Sequence, residues 1–162
     1  MAGKKSVYLE TTIVSYLAAK MSPSLLVAAH QQVTVEWWEK RRSEYLLLVS
    51  ELVFAEAALG DPAIAARRMA LLRGLSSLPI TPEVRELARA LTNEGALPGK
   101  AEMDAFHIAL AAYHEVDYLL TWNCRHIGNA EMVPVIRNIC MVHGYACPQI
   151  CTPEELMGEE IL

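Results

Sequence analysis

Apolar positions along the chain fall into short runs separated by longer segments with helical spacing. Ser6 to Glu10 (SVYLE) opens the pattern and predicts a strand. EYLLLV over 44–49 is apolar along most of its length, as expected of a strand covered on both faces. Leu78 to Ile80 predicts a third, very short strand, Asp117 to Thr121 a fourth, and Gln149 to Cys151 a last one.

The intervening segments carry helix signals. A short helix is expected from Thr12 to about Ala19, and another from Ser22-Pro23 to about Arg42. Ser50 caps a helix that ends at Gly60, and Asp61-Pro62 restarts one through Leu75. Thr81-Pro82 opens a helix ending near Gly95; Pro98-Gly99 breaks the chain before the segment from Lys100 to Glu115. A helix from Val133 to His143 follows the loop WNCRHIGNA, and Thr152 with Glu155 forms a capping-box pattern that predicts a terminal helix.

Strands alternating with helices predict an α/β fold, a three-layer α/β/α sandwich around a mostly parallel sheet of four or five strands. No repeat, low-complexity tract or linker interrupts the chain, so a single domain over 1–162 is expected. In such sheets ligands sit beyond the C-terminal strand ends. Glu10 and the loop starting at Trp122 fall there.

Composition changes this picture little. The chain is 53% hydrophobic, as in globular proteins. No apolar run reaches the roughly 18 residues of a membrane span, and MAGKKSVYLE lacks an apolar stretch of signal-peptide length. A cytoplasmic protein without a membrane partner is expected. The net charge of -5 does not favour broad electrostatic binding to nucleic acid, although a bound metal reverses the field at one site. Cys140, His143, Cys147 and Cys151 spell C-x2-H-x3-C-x3-C, a spacing unlike a familiar zinc finger. Cys140 and Cys151 fall in apolar runs, so free buried thiols are expected. P-loop, G-x-G-x-x-G, G-x-S-x-G and H-E-x-x-H patterns are all missing.

Candidate chemistry lies in four positions. Glu10 ends the first strand, Glu56 lies in the helix after the second, Asp104 opens the helix before the fourth, and Asn123 follows the fourth. Singly, each has an ordinary reading as a turn acid, a surface ion pair (Asp104 with Lys100) or a loop cap. Together, several carboxylates at one sheet edge repel one another and call for a divalent counter-charge. Oxygen ligands suit Mg2+ or Mn2+, and such an ion orients water for phosphodiester hydrolysis.

The ordered set SVYLETT, SELVFAE, AEMDAFHIALAA and DYLLTWN resembles the PIN-domain family, which includes the VapC-like toxin ribonucleases of toxin–antitoxin pairs. The resemblance spans roughly Val7 to His126. It implies that Glu10, Glu56, Asp104 and Asn123 are the catalytic and metal-holding residues, with Mg2+ or Mn2+ as cofactor. Thr11 and Thr121 would support the site by hydrogen bonds on its substrate side, and Arg125 and His126 would contact phosphate. It implies RNA as substrate, with single-stranded DNA left open, together with an antitoxin protein and a homodimer as partners. Two departures stand out: the family usually has Asp at the place of Glu10 and often Asp at that of Asn123, which favours one metal over two. A catalytically impaired PIN-like module that binds RNA or protein is the alternative. His107, three after Asp104 on the same helix face, reads first as a core or interface histidine.

Overall fold

The computed structural model describes residues 3–159. Five strands, β1 (Ser6–Leu9), β2 (Leu46–Ser50), β3 (Ser76–Leu78), β4 (Tyr118–Leu120) and β5 (Gln149–Cys151), form one sheet in the order β3-β2-β1-β4-β5. All four pairings are parallel, with Tyr8 in register with Leu48 on one side and Leu119 on the other. Parallel neighbours need crossover helices, and those helices cover both faces of the sheet. Val7, Tyr8 and Leu9 on the central strand are accordingly all buried, which explains a run with no alternation.

The helices are α1 (Thr11–Ala18), α2 (Leu25–Lys40), α3 (Glu51–Ala57), α4 (Pro62–Leu72), α5 (Pro82–Asn93), α6 (Glu102–Tyr113) and α7 (Val133–Val142). Helix α1 packs against α2, α3 and α4, while α5 packs against α6 and α7. The result is the α/β/α layering that the alternation of elements predicts. Local signals act as expected at most helix starts: the side chains of Ser50, Asp61 and Thr81 accept from backbone N–H groups of α3, α4 and α5.

Several elements differ from expectation; β2 is Leu46–Ser50 rather than 44–49, and α4 ends at Leu72 rather than Leu75. Helix α2 starts at Leu25 because Ser24, rather than Ser22, caps it. Strand β3 runs over Ser76–Leu78, pairing with the last residues of β2, so the edge strand lies earlier than its apolar content suggests. Thr152 and Glu155 do make the reciprocal capping-box bonds, yet residues 153–156 form turns only, and no helix follows among the described residues.

The chain winds from β1 outward to β3, then returns to place β4 on the other side of β1. The direction of winding therefore reverses between β1 and β4. At such a switch point the flanking connections diverge and leave a crevice at the C-terminal strand ends. Glu10 follows β1 and Thr121 follows β4, so these two residues lie side by side at those strand ends.

Candidate active site

Glu10 is 4% exposed and is the N-cap of α1. Its Oε2 accepts from the Thr12 N–H at 3.0 Å, from the Thr12 hydroxyl, and from the Thr121 hydroxyl at 3.0 Å. A carboxylate buried in this way needs donors, and the helix N-terminus supplies both a donor and a favourable dipole. The Glu10 N–H donates to the Leu120 carbonyl, extending the β1–β4 ladder up to the acid.

Glu56, on α3, is held from two directions. Its Oε1 accepts from the Thr11 hydroxyl at 2.8 Å and lies 2.6 Å from His107 Nε2. The histidine ring is 1% exposed, and its Nδ1 lies 2.7 Å from the Tyr8 hydroxyl, which is in turn 2.8 Å from Ser50 Oγ. The assignment that leaves no donor without an acceptor runs from Ser50 to Tyr8, from Tyr8 to Nδ1, and from Nε2–H to Glu56. Burial pushes the Glu56 carboxyl up, but the hydrogen bond and electrostatic attraction of His107, with the Thr11 hydrogen bond, more than offset it and hold it below the usual range. Burial also pushes the Tyr8 phenol well above its ordinary value. The Ser50 bond opposes that shift, and the negative charges of Glu10 and Glu56 add to it.

Asp104, in the first turn of α6, accepts through Oδ2 from His126 Nδ1 at 2.9 Å. His126 also donates its backbone N–H to Asn123 Oδ1 at 3.0 Å, and the Asn123 N–H donates to Thr121 Oγ1 at 2.9 Å. A continuous path thus joins Glu10, Thr121, Asn123, His126 and Asp104. Thr11, adjacent to Glu10, connects to Glu56, and His107 lies one helical turn from Asp104. Hydrogen bonds connect Glu10, Asn123 and Asp104 beyond the ends of β1 and β4, and Glu56 is bonded to the residue after Glu10. Arg125, two residues after Asn123, is exposed, and its carbonyl accepts from the Asn129 side-chain amide. Lys100 makes no ion pair with Asp104; His126 takes that place.

Other expected features have structural roles. Trp122 donates its indole N–H to Thr34 Oγ1 at 2.7 Å and stacks on His30 with centroids 4.0 Å apart. Cys140 and Cys151 are buried and all four cysteines are free; His143 pairs with Glu94 instead of joining them. The residues that sequence reasoning missed are Tyr8, Ser50 and Thr12. Tyr8 is hidden in an all-apolar strand, and only its hydroxyl among buried neighbours gives a signal. His107 belongs to the site through Glu56 as well as to the core.

Among the described residues, no three His, Cys, Asp or Glu side chains are grouped closely enough to hold a metal ion between them. The donor chemistry does suit a hard cation, being all oxygen. Each carboxylate is also anchored through one oxygen only, Glu10 Oε2, Glu56 Oε1 and Asp104 Oδ2. The second oxygen of each has no hydrogen-bond partner among the described residues. The fit to a divalent ion is one of donor type and free lone pairs, without a closed arrangement.

No protein-family model matches this sequence, and no curated protein matches it. A solved structure does: the crystal structure of VapBC2 from Rickettsia felis bound to a DNA fragment from their promoter. The match has a TM-score of 0.58 at 15% identity and covers 90% of this chain and 97% of that one. The fold is PIN-like. At that identity the likeness concerns backbone architecture, and the PIN-like framework places the ends of β1 and β4 side by side as described above. Among the described residues, no helix is long and apolar enough to cross a membrane.

Proposed function

We propose that this PIN-like protein is a metal-dependent endoribonuclease, the toxin of a toxin–antitoxin pair. The observation that carries the reading is the hydrogen-bonded path from Glu10 through Asn123 to Asp104 at the sheet's switch point, with Glu56 bonded to Thr11, the residue after Glu10. Mg2+ or Mn2+, held by the free oxygens of the three carboxylates with Asn123 beside them, would supply positive charge against the phosphate and help to orient the attacking water. The protein's own groups do the rest. Thr121 and Thr12 hold Glu10, Thr11 and His107 hold Glu56, and His126 holds Asp104. Preorganised acceptors of this kind need little rearrangement during reaction. Arg125, exposed two residues after Asn123, adds a bidentate donor for substrate phosphate.

An antitoxin partner belongs to the same reading. Leu25 is 89% exposed and Leu26 is 68% exposed at the start of α2, apolar surface that a partner segment would cover. Trp37, on the same helix, is buried and serves the core. A homodimer is the assembly expected of the free protein, which sedimentation would measure.

One observation favours the alternative, a module that binds RNA or protein without turnover. All three carboxylates are engaged by protein donors, and no three of them close on a point. A single experiment separates the readings. Labelled RNA is incubated with Mn2+ and wild-type protein or Asp104→Asn. Turnover by wild type that falls at least about 100-fold in the variant supports the nuclease. Binding without turnover by either protein would establish the alternative.

A further inference from the structure

A cavity of about 330 Å3 opens between the loop after β4, helix α7 and the end of β5. We propose that it is a base-binding subsite that selects guanine in single-stranded RNA. This deepens the nuclease reading and rests on it for the substrate class.

The cavity adjoins the site through a shared residue. Thr121 lines it, while the Thr121 hydroxyl donates to Glu10. The loop that carries Asn123 toward Asp104 is closed by the Gly128 N–H donating to the Asn123 carbonyl at 2.8 Å, and Gly128 and Cys124 form the cavity's near wall. A nucleotide whose phosphate lies in the crevice therefore has this cavity within reach of its own or the adjacent base.

Its chemistry matches one base better than the others. Val133, Pro134 and Ile150 give apolar surface for the ring faces. Arg137 and Glu155 supply the polar edges, and among the described residues they form no ion pair with each other or with anything else. Arg137 makes one long hydrogen bond, 3.4 Å to Gln149, which leaves its other donors available. Glu155 spends Oε1 on the Thr152 N–H and hydroxyl, and its Oε2 has no partner among the described residues. The Glu155 charge reaches the cavity walls: after burial, it is the second cause holding the thiols of Cys124 and Cys151 above their ordinary values.

Guanine alone presents two adjacent N–H donors on one edge and two adjacent acceptors, O6 and N7, on the other. The free Oε2 of Glu155 accepts from the first edge, and the guanidinium fork of Arg137 donates to the second. Unpaired RNA bases are read on just these edges. Uracil and cytosine lack the paired acceptors at the Hoogsteen edge, and adenine offers no donor pair to a carboxylate.

The test has two arms. In the first, a randomised single-stranded RNA is cut by the intact protein with Mn2+ and the cut positions are sequenced. Guanine should be enriched at one fixed position, and Arg137→Ala should lower the enrichment about tenfold. Glu155→Gln should do the same, because its amide oxygen keeps the Thr152 cap while its NH2 replaces the acceptor. Arg137→Lys, which keeps the charge and loses the fork, should also lose most of the bias. Thermal melting verifies folding, and Arg137→Ala decides alone if Glu155→Gln unfolds. In the second arm, guanosine 5′-monophosphate and cytidine 5′-monophosphate are titrated at millimolar concentration without metal, followed by the amide resonances of Gly128 and Ile150. Shifts with the guanine nucleotide alone support the subsite even if no RNA is cut, an outcome that would remove the nuclease reading. Cleavage with no base bias, or equal response to both nucleotides, overturns the subsite and leaves the nuclease standing. Neither binding nor cleavage overturns both.

Discussion

His107 Nε2 lies 2.6 Å from Glu56 Oε1, and the same ring touches the Tyr8 hydroxyl inside the core. A carboxylate at the mouth of the crevice is thus fixed from within the packed interior. Core and site are one structure at this point. His107→Ala should remove a buried partner from both Tyr8 and Glu56 and destabilise the fold by about 2–4 kcal/mol in urea unfolding. It should also lower RNA turnover by about 10–100-fold in protein that remains folded, the usual effect of losing a side chain that orients a metal-holding group. Full turnover in the folded variant would show that the orientation of Glu56 is immaterial.

Tyr8 and Ser50 share the other end of this chain of bonds. Tyr8→Phe leaves the Ser50 hydroxyl and His107 Nδ1 without their partner, at a cost of about 1–3 kcal/mol. Ser50→Ala also removes the cap on α3, worth about 1 kcal/mol. Because both substitutions break the same bond, the double variant should lose less than the sum, by about 0.5 kcal/mol or more. Strict additivity in denaturant melts would mean that the two hydroxyls act independently.

Thr121 bridges the two strand ends, donating to Glu10 and accepting from the Asn123 N–H. Thr121→Val keeps the side chain's size and deletes both bonds. The fold should lose about 1–3 kcal/mol, and Mn2+ affinity, read by paramagnetic resonance of the free ion, should fall about tenfold or more. An unchanged affinity would separate Glu10 from the metal.

Asp117 gives the clearest pH dependence. Its carboxylate accepts from the Ser6 N–H at 2.8 Å and from the Ser6 hydroxyl, and it pairs with Lys5, tying the start of β4 to the start of β1. The backbone bond from Ser6 is the main cause of a pKa held below the ordinary 3.8. A group whose folded pKa is depressed stabilises the fold fully above its unfolded pKa. That contribution is lost as pH falls from the unfolded value through the folded one. Asp117→Asn should lower the melting temperature at neutral pH, by an amount equivalent to less than about 1 kcal/mol for so exposed a pair. The gap to wild type should close as the pH drops below the carboxylate range. A constant gap down to strong acid would exclude ionisation as its origin.

Much of the fold was legible in the chain. The all-apolar stretch VYL announced a strand buried on both faces; YLLLV announced a strand too, but Leu46 at its start is 51% exposed and only its end is buried. Ser50, Asp61 and Thr81 marked helix starts, since capping is chemistry within three residues. Where the reading slipped, the cause was tertiary. Strand β3 takes Ser76 and Ser77 rather than Pro79 and Ile80 because pairing with Leu48 and Val49 sets its position, and an edge strand need not be apolar. The turn at 153–156 has a capping box and still forms no helix, because two side-chain bonds do not offset nucleation for so short a segment.

The sequence by itself determined which residues carry oxygen donors and which local element holds each, because strand, helix and cap preferences act over a few positions. Only the tertiary structure decided that Glu10 meets Thr121, that Glu56 leans on His107 and that Asp104 takes His126. Those partners lie tens of residues apart. Their meeting depends on the side of β1 to which the chain returns with β4, a choice made by burying the whole sheet at once.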